Sequence, residues 1–174
     1  MRTPILETER LILRPMRIED AQEVFDNWAS DPEVAKYMVW STHKDVSVTK
    51  AWMEELQEEL DSDSYEWGFE RKEDGKLIGS GGVYYKKEKA AWTLGYNIMK
   101  DCWHQGYTTE TARAIIKFGI EVLEAKKFIA YHAKDNPNSG KVMEKVGFHY
   151  VEDGEYDSFD GTKHFESKCY ELIV

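Results

Sequence analysis

The run Trp103-His104-Gln105-Gly106-Tyr107-Thr108-Thr109-Glu110 holds the pattern with the most direct chemical consequence. It lies between a strand-like run ending near Met99 and a helix-like run starting near Thr108. At such a junction Gly106 lets the backbone approach a ligand closely, and His104 to Thr109 leave several amide N–H groups without helical partners. With roughly half a positive charge from the helix dipole at the same end, these amides can bind a diphosphate without a lysine-rich clamp. An ordinary helix following a strand, capped by Thr108 or Thr109, would show the same residues. The sequence contains neither the glycine–lysine loop of nucleotide hydrolases nor the glycine-rich dinucleotide fingerprint, which argues against those two readings.

The elements that must position this loop follow from periodicity and turn residues. Arg10 to Arg14 reads as a strand, and Ile18 to Ser30 as a helix with Ala21, Val24, Phe25 and Trp28 on one stripe, stopped by Asp31-Pro32. A second amphipathic helix is expected from about Asp45 to Leu60, with Val48, Trp52, Leu56 and Leu60 aligned. Three strands should follow at Tyr65–Arg71, Leu77–Tyr85 and Ala91–Met99, the first two joined through Asp74-Gly75. Then come a helix from Thr108 to Leu123, a strand from Phe128 to Ala133, and a short helix from Asn138 or Ser139 to Val146. Two closing strands flank Asp160-Gly161. The order is β-α-α-β-β-β-α-β-α-β-β, a mixed α/β class. The helix between the strands ending near Met99 and Ala133 makes those two a candidate parallel pair.

With 174 residues, 41% hydrophobic, the chain is expected to form a single domain over residues 1–174. No apolar run is long enough to span a bilayer, and the first residues lack a signal-peptide core, so a soluble, cytoplasmic protein without membrane association is expected. Cys102 and Cys169 stand in unrelated contexts, which predicts neither a disulfide framework nor a metal site. The net charge of −10 disfavours nucleic-acid binding, because affinity for phosphate backbones draws on a basic surface. A cationic partner suits the charge, although Glu54-Glu55 and Glu58-Glu59 also read as a solvated helix face.

Gly95-Tyr96 followed by Trp103-x-x-Gly106-Tyr107-x-Thr109-Glu110 resembles the acetyl-CoA signature of the GNAT superfamily of N-acetyltransferases. Glu9 to Pro15, Glu19-Asp20-Ala21 and Asp31-Pro32-Glu33-Val34 resemble the N-terminal pattern of the branch containing the ribosomal-protein N-terminal acetyltransferases. Asn136-x-x-Ser139 and Glu144-Lys145-Val146-Gly147-Phe148 resemble its C-terminal pattern. The resemblance implies a mostly antiparallel GNAT-like sheet whose central parallel pair is splayed around the cosubstrate acetyl-CoA. Backbone groups near Ile98 and Met99 would hold the pantetheine arm, and the amides of His104, Gln105, Gly106, Tyr107, Thr108 and Thr109 the diphosphate. Asn136 would bond the amide-rich arm, while Lys141 and Lys145, one turn apart, would meet the 3′-phosphate or form a solvated face.

Acetyl transfer needs a neutral amine and a proton for the departing thiolate. Many superfamily members place a tyrosine seven residues after the motif asparagine, where this chain has Met143; Ser139 is the replacement candidate, with helix capping as its other role. The branch commonly has a glutamate two residues before Gly95-Tyr96, where this chain has Thr93. Glu155 and Asp157, with His132 and His164, are the candidate bases, or no dedicated base exists. Of the six tryptophans, Trp40 has no periodic partner and is assigned to the acceptor site. The expected acceptor is a primary amine, with a protein N-terminus, a polyamine and an aminoglycoside-like amine as alternatives. The chain would act as a monomer or homodimer. A CoA-binding sensor without catalysis is the reading from a different class, motivated by the missing tyrosine and glutamate.

Overall fold

The computed structural model describes residues 2–59 and 63–174, with the side chain of residue 59 left aside. Strands β1 (Leu6–Glu7), β2 (Leu11–Arg14), β3 (Ser64–Arg71), β4 (Leu77–Lys86), β5 (Ala91–Ile98), β6 (Lys127–Ala133), β7 (His149–Asp157) and β8 (His164–Ile173) form one sheet. Its strand order is β1-β2-β3-β4-β5-β6-β8-β7. Every neighbouring pair is antiparallel except β5 and β6. Those two are joined only at Trp92↔Phe128 and Thr93↔Ile129. Beyond Thr93, β5 stays with β4 as far as Ile98, and β6 stays with β8 as far as Ala133, so the sheet opens into a gap between them.

Helices cover both faces. On one, α4 (Tyr107–Glu121) packs Phe118 against Tyr65 and Trp67 of β3, with ring centroids 5.2 and 5.3 Å apart. α5 (Pro137–Lys145) lies on the same side, tied to β5 through Tyr96. The other face carries the N-terminal helices: α1 (Ala21–Val24), α2 (Pro32–Ala35) and α3 (Val46–Glu59). α1 and the turn that follows it are clamped to β4, because Glu23 accepts the Leu77 N–H (2.9 Å) and Asn27 donates to the Leu77 carbonyl (2.7 Å). The core between these layers includes the fully buried Trp28, Trp67, Phe69 and Phe128.

Several local expectations need correction. The helix predicted over 18–30 is a 3-10 turn at Ile18–Asp20, then α1, then a π-turn at Phe25–Ala29. The widening comes from Ser30, whose amide and hydroxyl both donate to the Phe25 carbonyl five residues back (3.1 and 2.6 Å). Asp31-Pro32 ends that helix and also starts α2, with the Asp31 carboxylate accepting the Glu33 N–H and proline in the first turn, where its missing N–H costs nothing. Neither Thr108 nor Thr109 caps α4: Gly106, left-handed at φ 82°, precedes it, and the helix begins at Tyr107. Likewise α5 starts at Pro137 after Asn136, so Ser139 sits inside the first turn and is not its cap. Strand β1 was not anticipated, being two residues long. The predicted end of the second helix at Leu60 lies outside the described residues.

Candidate active site

The loop between β5 and α4 turns sharply. His104 and Gly106 both have positive φ (60° and 82°), and Lys100–Cys102 forms a 3-10 turn before them. The first intrahelical donor of α4 is Glu110, which bonds the Gly106 carbonyl (3.1 Å), so the N–H groups of Tyr107, Thr108 and Thr109 precede the helical ladder. Glu110 also anchors the loop from behind. Its carboxylate accepts bonds from the Thr8 hydroxyl, the Arg10 N–H and the Arg10 guanidinium at 2.6 to 2.9 Å, while Arg10 donates to the Gln105 carbonyl and lies 4.0 Å over the Tyr107 ring. These bonds hold the Glu110 carboxyl below its ordinary pKa against the opposing effect of burial. Beside the loop is a depression of about 630 Å³ lined by Gly106, Thr109, Arg10, Arg113, Lys117 and Lys145, among others. Lys145 lines this depression, and the exposed Lys141 does not. Arg113 and Arg10 are cations that sequence reading did not assign.

In the gap between β5 and β6, backbone alternation decides which groups are free. The Met99 N–H donates to the Ile78 carbonyl of β4 (2.7 Å), so in an antiparallel ladder Asn97 shares that inward side, while Tyr96 and Ile98 turn toward the gap. Met99, expected to serve with Ile98, has thus committed its N–H. The Ile98 carbonyl accepts from the Trp103 indole (2.7 Å). Across the gap, Ser139 of α5 meets Tyr96: the two hydroxyl oxygens are 3.2 Å apart, and the tyrosine also reaches the Ser139 carbonyl at 3.3 Å. Burial pushes the Tyr96 phenol up to about 12, so it stays protonated across the neutral range. Asn136 stands at the start of α5 with no capping bond from its side chain.

The opposite face of the sheet holds a cavity of about 200 Å³. Because side chains alternate along strands, Tyr65, Trp67 and Phe69 point toward α4, and Glu66 points away from it. Glu66 lies level with Gly82 of β4 and Gly95 of β5, so no side chain intervenes between its carboxyl and the open strand. A Cβ at Gly82 would run into the Tyr65 carbonyl and the Glu66 carboxyl itself. The cavity walls include Trp28, Met38, Trp40, His43, Trp52 and Leu56, and its floor includes Gly95, Tyr96 and Asn97. Enclosure in this apolar setting pushes the Glu66 carboxyl up to about 8. His43, bonded to the Thr49 hydroxyl (2.8 Å), is shifted down by burial, which favours its neutral form.

Trp40 lies in a segment without regular structure, yet the β7–β8 hairpin fixes it. The Lys163 ammonium donates to the carbonyls of Ala35, Met38 and Trp40, each at 3.0 Å. The Phe159 N–H takes the Val39 carbonyl (2.7 Å), the Tyr156 hydroxyl takes that of Tyr37 (2.6 Å), and Ser41 donates to Asp160. Trp40 is thereby brought to the cavity, in edge contact with His43 at 5.7 Å.

Glu155 and Asp157 do not reach either pocket. Both are exposed on β7 at the sheet edge, where His164 pairs with Asp157 at 2.6 Å and Glu155 at 3.5 Å. The Asp157 bond raises the His164 pKa. His132 is buried, its Nδ1 2.7 Å from the Ala133 carbonyl and its Nε2 3.5 Å from the Tyr170 hydroxyl, a satisfied structural residue. Sequence reading missed Glu66 and the role open to Tyr96. The available signal was the alternation Tyr65-Glu66-Trp67-Gly68-Phe69 opposite the glycine pair Gly81-Gly82.

The acetyltransferase (GNAT) domain family matches residues 10–149. The uncharacterised N-acetyltransferase YoaA of Bacillus subtilis (strain 168) is 30% identical over 150 residues, 83% of this chain and 82% of that protein. An uncharacterised N-acetyltransferase of Bacillus licheniformis, p20, is 30% identical over 145 residues, 82% of this chain and 81% of its own length. Among solved structures, a candidate ribosomal-protein-serine acetyltransferase from Vibrio cholerae superposes with TM-score 0.87 at 18% identity over the whole of both chains. The acetyltransferase MccE, solved with acetyl-CoA and AMP, superposes with TM-score 0.79 at 15% identity over 95% of this chain and 93% of its own. At those identities the structural likeness speaks for the fold.

Proposed function

Since the chain belongs to the GNAT acetyltransferase family, we propose that it moves an acetyl group from acetyl-CoA to a primary amine that enters from the Glu66 face of the sheet. The observation that carries this reading is the gap between β5 and β6, which has the free amides of α4 and the Tyr96–Ser139 pair on one side and the Glu66 cavity on the other. The chemistry of these parts fits acetyl-CoA. A diphosphate matches the amides of Tyr107 to Thr109, the cations Arg113, Lys117 and Lys145 suit a further phosphate, and the gap-facing backbone at Tyr96 and Ile98 suits an amide-bearing arm, with Asn136 at its edge. Acetyl-CoA supplies an activated acyl carbon. Glu66 takes the proton that the incoming ammonium must lose before its nitrogen has a lone pair. The N–C bond forms as the C–S bond breaks; the Ser139 hydroxyl, hydrogen-bonded by the Tyr96 phenol, protonates the departing sulfur, and the second proton shed by the acylated nitrogen returns through solvent to that hydroxyl pair. Tyr96 supplies the phenol that position 143, a methionine, lacks.

The Glu66 carboxyl at about 8 is protonated below that pH, so the base is available only as the pH rises through about 8. Steady-state thiol release from acetyl-CoA against a set of primary amines, with products weighed by mass spectrometry, tests this function. The expected result is saturable turnover with an acetylated amine. Tight acetyl-CoA binding with no product from any peptide, polyamine or small amine would instead support a CoA-binding sensor.

A further inference from the structure

From the walls of the Glu66 cavity we infer the class of acceptor: a small primary monoamine whose body is a flat, apolar, aromatic-sized group. This rests on the acetyl-transfer reading above and specifies its second substrate.

Size sets the first limit. An apolar cavity of about 150 Å³ holds one benzene ring. The cavity of about 200 Å³ therefore takes one such ring with a short aminoalkyl arm, and an aminoglycoside could not be enclosed by it. Wall chemistry sets the second. Met38, Trp40, His43, Trp52 and Leu56 present apolar and aromatic surface, with His43 held edge-on between Trp40 and Trp52 at 5.7 and 6.2 Å. Such walls favour a flat ring, while the polar groups of Ser64, Ser80, Tyr84 and Asn97 lie on the strand floor beside Glu66, on the side the amine faces. Charge sets the third. Among the described residues lining the cavity, Glu66 is the one carboxylate, enough for one ammonium. A polyamine would bury a second charge without a partner.

Geometry then orients the ligand. The amine must point to the floor, where Glu66 lies level with Gly95, and the ring must lie outward against the Trp40, His43 and Trp52 cluster. Trp40 is the specificity residue on this assignment, and Lys163 and the β7–β8 hairpin are what place it.

The test uses the full-length protein and two readouts. With acetyl-CoA saturating, thiol release is measured for 2-phenylethylamine, tryptamine, ethylamine, spermidine and kanamycin. In parallel, quenching of tryptophan fluorescence by 2-phenylethylamine reports binding independently of turnover. The expected result is a kcat/KM for the two aryl amines at least about a hundredfold above ethylamine and spermidine, the scale of a buried ring against a truncated or mispaired ligand. Trp40→Ala should raise the KM for 2-phenylethylamine more than about tenfold, a larger change than in kcat, and Trp40→Phe should recover most of it. Spermidine or kanamycin turned over as well as the aryl amines would overturn the proposal while leaving acetyl transfer intact. Saturable quenching, weakened in Trp40→Ala, with no thiol from any amine would keep the ligand class and overturn the transfer reading. Absence of saturable quenching overturns the proposal whatever the turnover.

Discussion

On the proposed reading the two faces of the sheet serve different halves of the reaction, and they are built by different means. On the α4 face the groups suited to acetyl-CoA are mostly backbone: amides at one helix start, and strand groups left over where β5 and β6 part. On the opposite face the acceptor cavity is made of side chains drawn from α3, β3 and the 25–43 region, the last pinned by the distant β7–β8 hairpin. Backbone geometry needs few fixed residues, a glycine here and a turn there. A side-chain cavity depends on the identity of every wall. The difference predicts where change is tolerated: the cofactor side should fail mainly through conformation, and the acceptor side through chemistry.

Substitutions can break or sharpen that contrast. The largest effect is expected from Glu66→Gln, which keeps the shape and removes the base: kcat should fall by about 10²–10⁴-fold, with the acetyl-CoA Kd within about twofold of wild type. Ser139→Ala should follow at about a hundredfold in kcat, again without loss of acetyl-CoA affinity, and Tyr96→Phe should compound it less than additively because the two hydroxyls act as one chain. An unchanged turnover number in Ser139→Ala would take that hydroxyl out of the acid role. On the cofactor side, Gly106→Ala forces a side chain into a left-handed backbone at φ 82°, costing about 1–2 kcal/mol, and should weaken acetyl-CoA about tenfold by calorimetry while sparing the KM for amine. Lys163→Met, which frees the carbonyls of Ala35, Met38 and Trp40, should do the reverse, raising the amine KM several-fold with acetyl-CoA affinity unchanged.

A further effect concerns stability. The Glu66 carboxyl stands at about 8 in the folded chain, above its ordinary unfolded value. Between those two values the folded state binds more protons, so stability falls as pH rises from about 4.5 to about 8. Glu66→Gln should flatten this part of the urea-midpoint profile and be at least as stable as wild type at pH 8. An identical slope in both would mean that the carboxyl is better solvated than its surroundings imply.

The same contrast explains what the sequence revealed. The order of the main strands and of α3 to α5, the parallel pair, the Asp74-Gly75 and Asp160-Gly161 turns and the α4 loop were legible, because periodicity, turn residues and motif spacing are local signals. Trp40 was assigned to the acceptor site only by elimination; it lines the Glu66 cavity, but the bonds that fix its segment come from residues 156–163, far along the chain. Glu66 was passed over because alternation along β3 says that it faces away from Trp67, but not that α3 and the 25–43 region cover that other face. Glu155 and Asp157 were chosen as acidic residues late in the chain. Strand order, which places β8 between β6 and β7, carries them to the sheet edge instead. Met99 illustrates a finer limit, for a shift of one residue decides whether an N–H faces β4 or the gap.

The central claim is that an amine reaches the acyl carbon from the Glu66 face and gives its proton to that carboxyl. The most direct measurement is kcat/KM against pH for wild type and Glu66→Gln, with an accepted amine and saturating acetyl-CoA. Wild type should show an ascending limb with an apparent pKa near 8, and the variant should lose that limb while keeping only the one set by the amine itself. Superimposable profiles at similar rates would contradict the account.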